Sequence, residues 1–159
     1  MSPSFQTILA ALQRHGVEFA VVGGVAAVLH GAPVTTFDLD TLVRVDEKNA
    51  DRLLAAFDEI NARYRGHAPP LKPVREDILA GKHLLLMTDA GPLDVLGFIG
   101  RDDRYEDLCT RFETVRLEGV DFSILGLDEL IRQKRAMGRE KDLIALRLLE
   151  AVKREREGE

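Results

Sequence analysis

Residues 21–31 read Val-Val-Gly-Gly-Val-Ala-Ala-Val-Leu-His-Gly, and residues 35–40 read Thr-Thr-Phe-Asp-Leu-Asp. The short apolar run Val17–Val22 ends at two glycines, so it predicts a buried strand that turns directly into a helix over Val25–Leu29. Glycine allows a tight turn and the close approach of a ligand, and the free N–H groups at a helix start suit a phosphate. On their own, however, two glycines after a strand most often mark a plain turn.

Two aspartates follow on the next predicted strand, Phe37–Val45. Residues two apart on a strand point to the same face, so Asp38 and Asp40 should lie side by side. Their charges repel each other there unless something positive separates them. One interpretation is a solvated strand edge. The other is a site for a hard cation such as Mg²⁺, which prefers carboxylate oxygens and keeps positions open for water and substrate phosphate.

A third carboxylate, Asp94, interrupts the otherwise apolar predicted strand Leu93–Ile99. A charged residue inside such a run needs a partner or a metal. If this strand lies beside the one that carries Asp38 and Asp40, three aspartates meet at one edge of the sheet. We therefore predict a metal site at which the three carboxylates lie within about 6 Å of one another, close enough to share two metal ions about 3.5–4 Å apart.

The remaining pattern predicts helices and strands in an order typical of a mixed sheet. Residues 89–92 predict a turn, so strands 84–88 and 93–99 should form a hairpin. The proline-rich segment Arg65–Pro73 predicts an irregular, mobile loop. Further helices are predicted over 5–14, 48–62, 127–137 and 140–154, and further strands over 112–117 and 122–125. This order indicates an α/β or α+β fold, with helices flanking a mixed β-sheet in one domain over residues 1–159 that the helices of 127–155 close.

The chain has 159 residues, a formal net charge of −5 and a single cysteine. The length suits one domain, and one cysteine excludes an internal disulfide. The acidic charge argues against a protein that coats nucleic acid through a broad basic surface. Residues 1–12 lack a signal-peptide pattern, and no run approaches the roughly 20 apolar residues that span a bilayer. We therefore expect a cytoplasmic protein with no membrane partner.

Taken together, these motifs resemble the polymerase-beta-like nucleotidyltransferase superfamily and, more narrowly, the small bacterial nucleotidyltransferases of toxin–antitoxin type. The resemblance covers about residues 17–146. The matching pieces, in chain order, are Gly23-Gly24-Val25-Ala26, His30-Gly31, Thr36-Phe37-Asp38-Leu39-Asp40, Asp94, and the run from Leu127 to Asp142 that includes Lys134 and Arg139. The resemblance implies a nucleotidyltransferase-like fold and transfer of a nucleoside monophosphate from an NTP to an acceptor hydroxyl.

The resemblance also implies roles for individual residues, with Mg²⁺ or Mn²⁺ as cofactor. Asp38 and Asp40 would bind the metal that orients the triphosphate, and Asp94 would complete a two-metal site or take the acceptor proton. The residues expected to bind the nucleotide are Gly23, Gly24, Thr36, Lys134 and Arg139. The acceptor could be tRNA, a protein side chain or a small molecule, and a toxin or antitoxin protein is a further expected partner.

One position departs from the family pattern, because Val34 stands where the resemblance predicts an arginine two residues before Thr36. That arginine would meet substrate phosphate or the acceptor. A second hypothesis is therefore a catalytically weak module that binds a partner, as an antitoxin does. A third is metal-dependent hydrolysis of a phosphoester, since two metals and carboxylates also suit that reaction.

Lys134 continues the predicted apolar stripe of its helix, formed by Leu127, Leu130 and Ile131. A lysine at the end of a buried stripe needs an anion or a route to solvent. We predict that Lys134 faces the two-glycine turn, where it and Arg139 can reach nucleotide phosphates. The alternative is a solvated helix face.

Two further polar residues have structural interpretations. We expect His30 to cap its helix or pack in the core, with a contact near the phosphate turn as the alternative. We expect Asp142 to pair with Arg139 or Lys141 on the helix surface.

Overall fold

The computed structural model describes residues 3–36 and 38–158, so Phe37, which the sequence assigns to a strand, lies outside the described residues. Within these ranges the chain forms seven α-helices and one mixed sheet of seven strands. The helices are α1 (Pro3–Arg14), α2 (Gly23–Leu29), α3 (Glu47–Ile60), α4 (Arg75–Leu79), α5 (Tyr105–Leu108), α6 (Leu127–Met137) and α7 (Glu140–Arg156). The strands are β1 (Phe19–Val22), β2 (Leu39–Val43), β3 (Arg63–Tyr64), β4 (Leu84–Thr88), β5 (Gly91–Leu96), β6 (Phe112–Leu117) and β7 (Val120–Leu125).

The strands lie in the order β3-β4-β5-β2-β1-β7-β6. Strand β1 is antiparallel to β2 and parallel to β7, while β2 is parallel to β5. The β3–β4, β4–β5 and β6–β7 pairs are antiparallel. The predicted mixed sheet with flanking helices and the predicted β4–β5 hairpin are therefore confirmed. Strands β1, β2 and β5, which carry the candidate site, are neighbours near the middle of the sheet.

Apolar residues at helical spacing hold α1 and α3 in place. In α1, Phe5, Ile8 and Leu12 are buried, and α1 packs against α3 and β7. In α3 the buried stripe includes Leu53 and Phe57. Residues three and four apart share one face of a helix, so these side chains form a continuous surface towards the sheet and the neighbouring helix.

Asn49, in the first turn of α3, connects that helix to the beginning of β1 and the end of β2. Its side chain is fully buried. The side-chain oxygen accepts the N–H of Glu18 at 2.7 Å, and the amide nitrogen donates to the carbonyls of Glu18 at 3.1 Å and Arg44 at 2.7 Å. Asp46 begins the helix by accepting the backbone N–H of Asn49 at 2.8 Å. A buried amide with all these partners ties both strands to one helix.

The predicted helices and strands are all present, with shifted ends. Gly23 and Gly24 belong to α2 itself, whereas the sequence placed them in a turn before it. Within the described residues, the segment 65–73 contains no helix or strand, as predicted. The sequence did not predict β3, α4 or α5, because a strand of two residues and helices of one turn are too short to show periodicity. In the described part of the chain no helix is long and apolar enough to cross a membrane.

Candidate active site

Asp40 and Asp94 occupy adjacent positions on parallel strands. The register of β2 and β5 pairs Asp40 with Asp94, and the register of β1 and β2 pairs Val22 with Asp40. Side chains at paired positions of neighbouring strands point to the same face of the sheet. The carboxyl groups of Asp40 and Asp94 are accordingly close enough to share a proton.

This neighbourhood changes the acidity of Asp40. Burial, the hydrogen bond with Asp94 and the negative charges of Asp94 and Asp38 raise the pKa of Asp40 to about 7, while the positive charge of Arg65 acts in the opposite direction. Two carboxylates that share a site cannot both ionise easily without a positive group between them. The Asp40–Asp94 pair is therefore prepared to accept a cation or a proton.

Asp38 precedes β2 and is half-buried. Its charge contributes to the raised pKa of Asp40, so it lies close enough to belong to the same acidic region. Among the described residues, however, no three His, Cys, Asp or Glu side chains are grouped so that they could hold a metal ion. The three-aspartate metal site remains a prediction, and the observed nucleus of the site is the Asp40–Asp94 pair.

Arg65 is the positive partner of this pair and was not predicted. It follows β3, its guanidinium forms an ion pair with Asp94, and its Nε donates to the carbonyl of Leu86 at 2.9 Å. The side chain of Asp94 is only 15% exposed, so this contact is largely shielded from solvent. The sequence showed Arg65 only as the first residue of an irregular loop, and no local spacing pointed to it.

The two glycines bring the backbone of α2 against the acidic side chains. Gly23 has a φ of +67°, and a Cβ built on it would lie 2.4 Å from Oδ2 of Asp40. A Cβ on Gly24 would lie 2.7 Å from Oγ1 of Thr36, which in turn donates to the carbonyl of Asp38 at 3.3 Å. Only glycine fits either position without displacing a neighbour, so the turn, Thr36 and Asp40 form one close-packed group.

A cavity of about 260 Å³ opens beside this turn. Gly23 and Asp40 line it together with Lys134 and Arg139. The structure therefore brings the two predicted phosphate-binding cations to the same cavity as the first glycine and the central aspartate. The remaining predicted site residues do not belong to its lining; they are Gly24, Thr36, Asp38 and Asp94.

Asp142 holds both cations in place. Its side chain is fully buried, receives the Nη2 of Arg139 at 3.2 Å and lies 3.4 Å from the Nζ of Lys134. The hydrogen bond from Arg139, with the nearby Lys134, lowers the pKa of Asp142. We expected Asp142 at the helix surface with Arg139 or Lys141. The observed residue is buried between Arg139 and Lys134, because α6 packs against α7 and brings Lys134 to it.

The cavity also has walls that the sequence did not suggest. His83 and Phe98 line it, with their ring centroids 4.8 Å apart at an interplanar angle of 37°. Leu96, Leu130 and Met137 add apolar surface. A cavity lined by aromatic, apolar and cationic side chains is suited to a ligand that combines a flat ring with charged groups.

His30 is a buried structural residue, as predicted. Its Nε2 lies 2.8 Å from the carbonyl of Leu125 and its Nδ1 lies 2.8 Å from the Nη2 of Arg156. A carbonyl only accepts and a guanidinium only donates, so the ring is neutral with its proton on Nε2. His30 therefore connects the end of α2 to β7 and α7 rather than contacting the glycine turn.

Solved structures resemble this arrangement of strands and helices over most of the chain. A lincosamide antibiotic adenylyltransferase in complex with lincomycin is 10% identical, covers 96% of this chain and 98% of its own, and superposes with a TM-score of 0.66. A Thermotoga maritima protein provisionally assigned as a nucleotidyltransferase is 20% identical, with coverages of 90% and 88% and a TM-score of 0.58.

This chain has the nucleotidyltransferase fold. An antigenic nucleotidyltransferase-like protein from Paracoccidioides brasiliensis also shares this fold, at 17% identity, coverages of 94% and 74%, and a TM-score of 0.53. No protein-family model and no curated protein sequence matches the chain. Because the identities are low, the similarity establishes the nucleotidyltransferase fold, and the chemistry must be argued from the site itself.

Proposed function

We propose that this protein is a metal-dependent nucleotidyltransferase that moves a nucleoside monophosphate from an NTP to an acceptor hydroxyl. The observation that carries the proposal is the Asp40–Asp94 pair, which lies beside a glycine turn and a cavity lined by two cationic side chains. Transfer of a nucleotidyl group requires an acidic centre for metal and separate positive groups for the phosphates. Here Asp40 of the acidic pair lines the same cavity as Lys134 and Arg139.

A divalent metal suits the donor set, because two neighbouring carboxylates repel each other and Mg²⁺ or Mn²⁺ prefers such oxygens. Asp40 and Asp94, joined by Asp38, would hold it. When bound, the metal neutralises charge on the triphosphate and on the attacking and leaving oxygens. Asp94 would then share its carboxylate between the metal and Arg65. The remaining contact with Arg65 would keep that carboxylate oriented.

The side chains of the cavity would bind the NTP in one direction. Lys134 and Arg139 bind the β- and γ-phosphates together with the N–H groups of the Gly23–Gly24 turn, against which Thr36 packs. The base lies against the rings of His83 and Phe98, which are in tilted contact in the cavity lining. Such positioning is most of what a protein contributes to phosphoryl-group transfer.

In the reaction, the acceptor oxygen forms a bond to the α-phosphorus. The bond from that phosphorus to the oxygen bridging the β-phosphate breaks, and pyrophosphate leaves with the bonding electrons. The acceptor proton passes to the carboxylate of Asp94. The lysine and arginine hold the leaving pyrophosphate, whose charge increases as the bond breaks.

The direct test is incubation with each α-labelled NTP, Mg²⁺ and a cell extract, followed by detection of labelled acceptor. Mg²⁺ with an NTP should also raise the melting temperature, because a ligand that binds only the folded state stabilises it. Asp40→Asn should abolish both effects. Asp121→Asn is the matched control, since Asp121 is an exposed strand aspartate that pairs with Arg116 and does not line the cavity. Unchanged transfer in Asp40→Asn would refute the proposal.

A second candidate is a partner-binding module of the toxin–antitoxin type. The observation that favours it is a group of exposed apolar side chains near the junction of α6 and α7, namely Met137, Leu143 and Ile144, which are 46%, 46% and 60% exposed. Val34, the residue in place of the arginine, packs partly buried against the core and gives no charge to the site. This candidate predicts a stable protein complex and no labelled product.

A further inference from the structure

A second cavity, of about 390 Å³, is lined by Arg65, the residue that forms an ion pair with Asp94. Its lining includes Arg63, Arg65 and His67, together with Tyr64 and Met87. None of the described residues that line it is acidic, and its two arginines pair with carboxylates outside the lining, Arg63 with Asp89 and Arg65 with Asp94. A cavity lined by arginines and aromatic groups is suited to an anion that binds the N–H groups these pairs leave unused.

The strand order relates this cavity to the reaction centre. Across the sheet from β3 to β1, the site residues follow one another in the order Arg65 after β3, Asp94 on β5, Asp40 on β2 and Gly23 after β1. Arg65 lines the second cavity and forms an ion pair with Asp94, so it joins the cavity directly to the acidic pair. The two cavities have no described lining residue in common: Asp40 itself lines the first, and Arg65, the partner of Asp94, lines the second.

An in-line displacement requires the attacking oxygen and the leaving group on opposite sides of the α-phosphorus. In the proposed function the pyrophosphate leaves on the side of Gly23, Lys134 and Arg139. The acceptor proton passes to Asp94 in the proposed function, so the acceptor approaches next to Asp94, whose partner Arg65 lines the second cavity.

We propose that this second cavity binds the acceptor and that the acceptor carries a phosphate group close to its reactive hydroxyl. This inference rests on the proposed function and names its acceptor class. Arg63 lines the cavity, and its Nη1 lies 2.9 Å from Oδ1 of Asp89. Arginine matches phosphate through paired N–H groups, and the rings of Tyr64 and His67, with centroids 6.1 Å apart, give a surface for a sugar or base. A polycationic acceptor would find no carboxylate among the described residues of this lining.

Two sources share this chemistry: the 3′ end of a nucleic acid strand, and a small phosphorylated molecule with a free hydroxyl. The test begins with amide NMR spectra of the full chain, first with Mg²⁺ and a non-hydrolysable NTP, then with ribose 5-phosphate. Ribose and a polycationic amino sugar are the comparison ligands. We expect ribose 5-phosphate to shift the amides of residues 63–67 and 87, and the two comparison ligands to leave them unchanged.

Arg63→Gln should weaken the binding of ribose 5-phosphate about tenfold, because it removes a charge-assisted contact. Arg116→Gln is the matched control, an exposed arginine with a similar ion pair, 3.1 Å from Asp121 on the β6–β7 hairpin. Equal binding of ribose, binding of the polycation, or shifts confined to the Gly23 and Lys134 region would overturn the inference.

Transfer assays then distinguish the sources. Labelled product on a short RNA with a 3′ hydroxyl identifies a nucleic acid end, and labelled product on ribose 5-phosphate identifies a small acceptor. Label found only on acceptors that lack phosphate overturns the inference. If the NTP causes no amide shifts near Gly23, the proposed function is refuted. If the NTP binds but ribose 5-phosphate does not bind at residues 63–67, only the acceptor assignment is refuted.

Discussion

A Cβ atom on Gly23 would lie 2.4 Å from Oδ2 of Asp40, well inside any permitted contact. The backbone at Gly23 also has a φ of +67°, a left-handed conformation that other residues adopt only at a cost. The glycine is therefore required both for the turn that begins α2 and for the position of the aspartate that it touches.

Gly23→Ala should lower the free energy of unfolding by about 1–2 kcal/mol from the backbone alone and displace the Asp40 carboxyl, so transfer activity should be lost. Gly16→Ala is the matched control. Gly16 has a φ of +70°, and the nearest described atoms to a Cβ there are those of the flexible Arg52 side chain at 3.9 Å. It should show the same loss of stability with normal activity. Thermal unfolding and the transfer assay measure both, and full activity in Gly23→Ala would contradict the role given to this contact.

The raised pKa of Asp40 predicts how the stability of the metal-free protein depends on pH. Because the folded state keeps this proton up to a pH of about 7 and the ordinary value is 3.8, the carboxyl favours folding below pH 4. That contribution is lost as the pH rises from about 4 through about 7. With a chelator present, the wild-type protein should become less stable relative to Asp40→Asn over this range. Urea unfolding of both proteins, between about pH 4.5 and about pH 8, measures this difference in stability. A constant difference would show that Asp40 does not hold a proton in the folded state.

Lys134→Ala should weaken the binding of a non-hydrolysable NTP by about 1.5–3 kcal/mol, the range of a hydrogen bond to a charged group. Lys153→Ala is the control, since Lys153 has a comparable ion pair, 3.0 Å from Asp128, but does not line the cavity beside Gly23. Isothermal titration calorimetry in the presence of Mg²⁺ gives both affinities. If Lys134→Ala and Lys153→Ala bind the NTP equally well, Lys134 pairs with Asp142 but does not bind the nucleotide.

Asp142→Asn should destabilise the fold by about 2 kcal/mol near neutral pH, because it removes the charge that Arg139 and Lys134 share. The lowered pKa means that this contribution is present above about pH 4 and is lost as the pH falls below it. The exposed Asp128, paired with Lys153, provides the comparison, and Asp128→Asn should cost less than about 1 kcal/mol. Denaturation at neutral and acidic pH measures both variants. An equal loss for Asp142→Asn at both pH values would mean that packing, not charge, is responsible.

Local spacing was enough to predict much of this protein. The strand, two glycines and helix around Gly23 are encoded within a few residues, and the alternation around Asp40 predicts strand β2. The same alternation placed Asp38 on this strand, but β2 begins at Leu39 and Asp38 lies just before it. The adjacency of Asp40 and Asp94 required a guess about which strands are neighbours. That guess, supported by the resemblance to nucleotidyltransferases, agrees with the observed register.

Residues that reach the site across the fold could not be predicted in this way. Arg65 meets Asp94 only because the two-residue strand β3 adds to β4 at the sheet edge, and such a short strand leaves no periodic signal. Asp142 meets Lys134 only because α6 packs against α7. Both contacts depend on how elements are placed relative to one another, which periodicity along the chain does not encode.

Asn49 has a consequence at the opposite end of the strands that it joins. The β1–β2 ladder runs from the pair Phe19–Val43 to the pair Val22–Asp40, with the asparagine at the first end and the glycine turn at the second. A slip of one residue in this ladder would turn Asp40 to the other face of the sheet. Asn49 therefore stabilises the strand register on which the position of Asp40 depends, although it binds at the other end of the ladder.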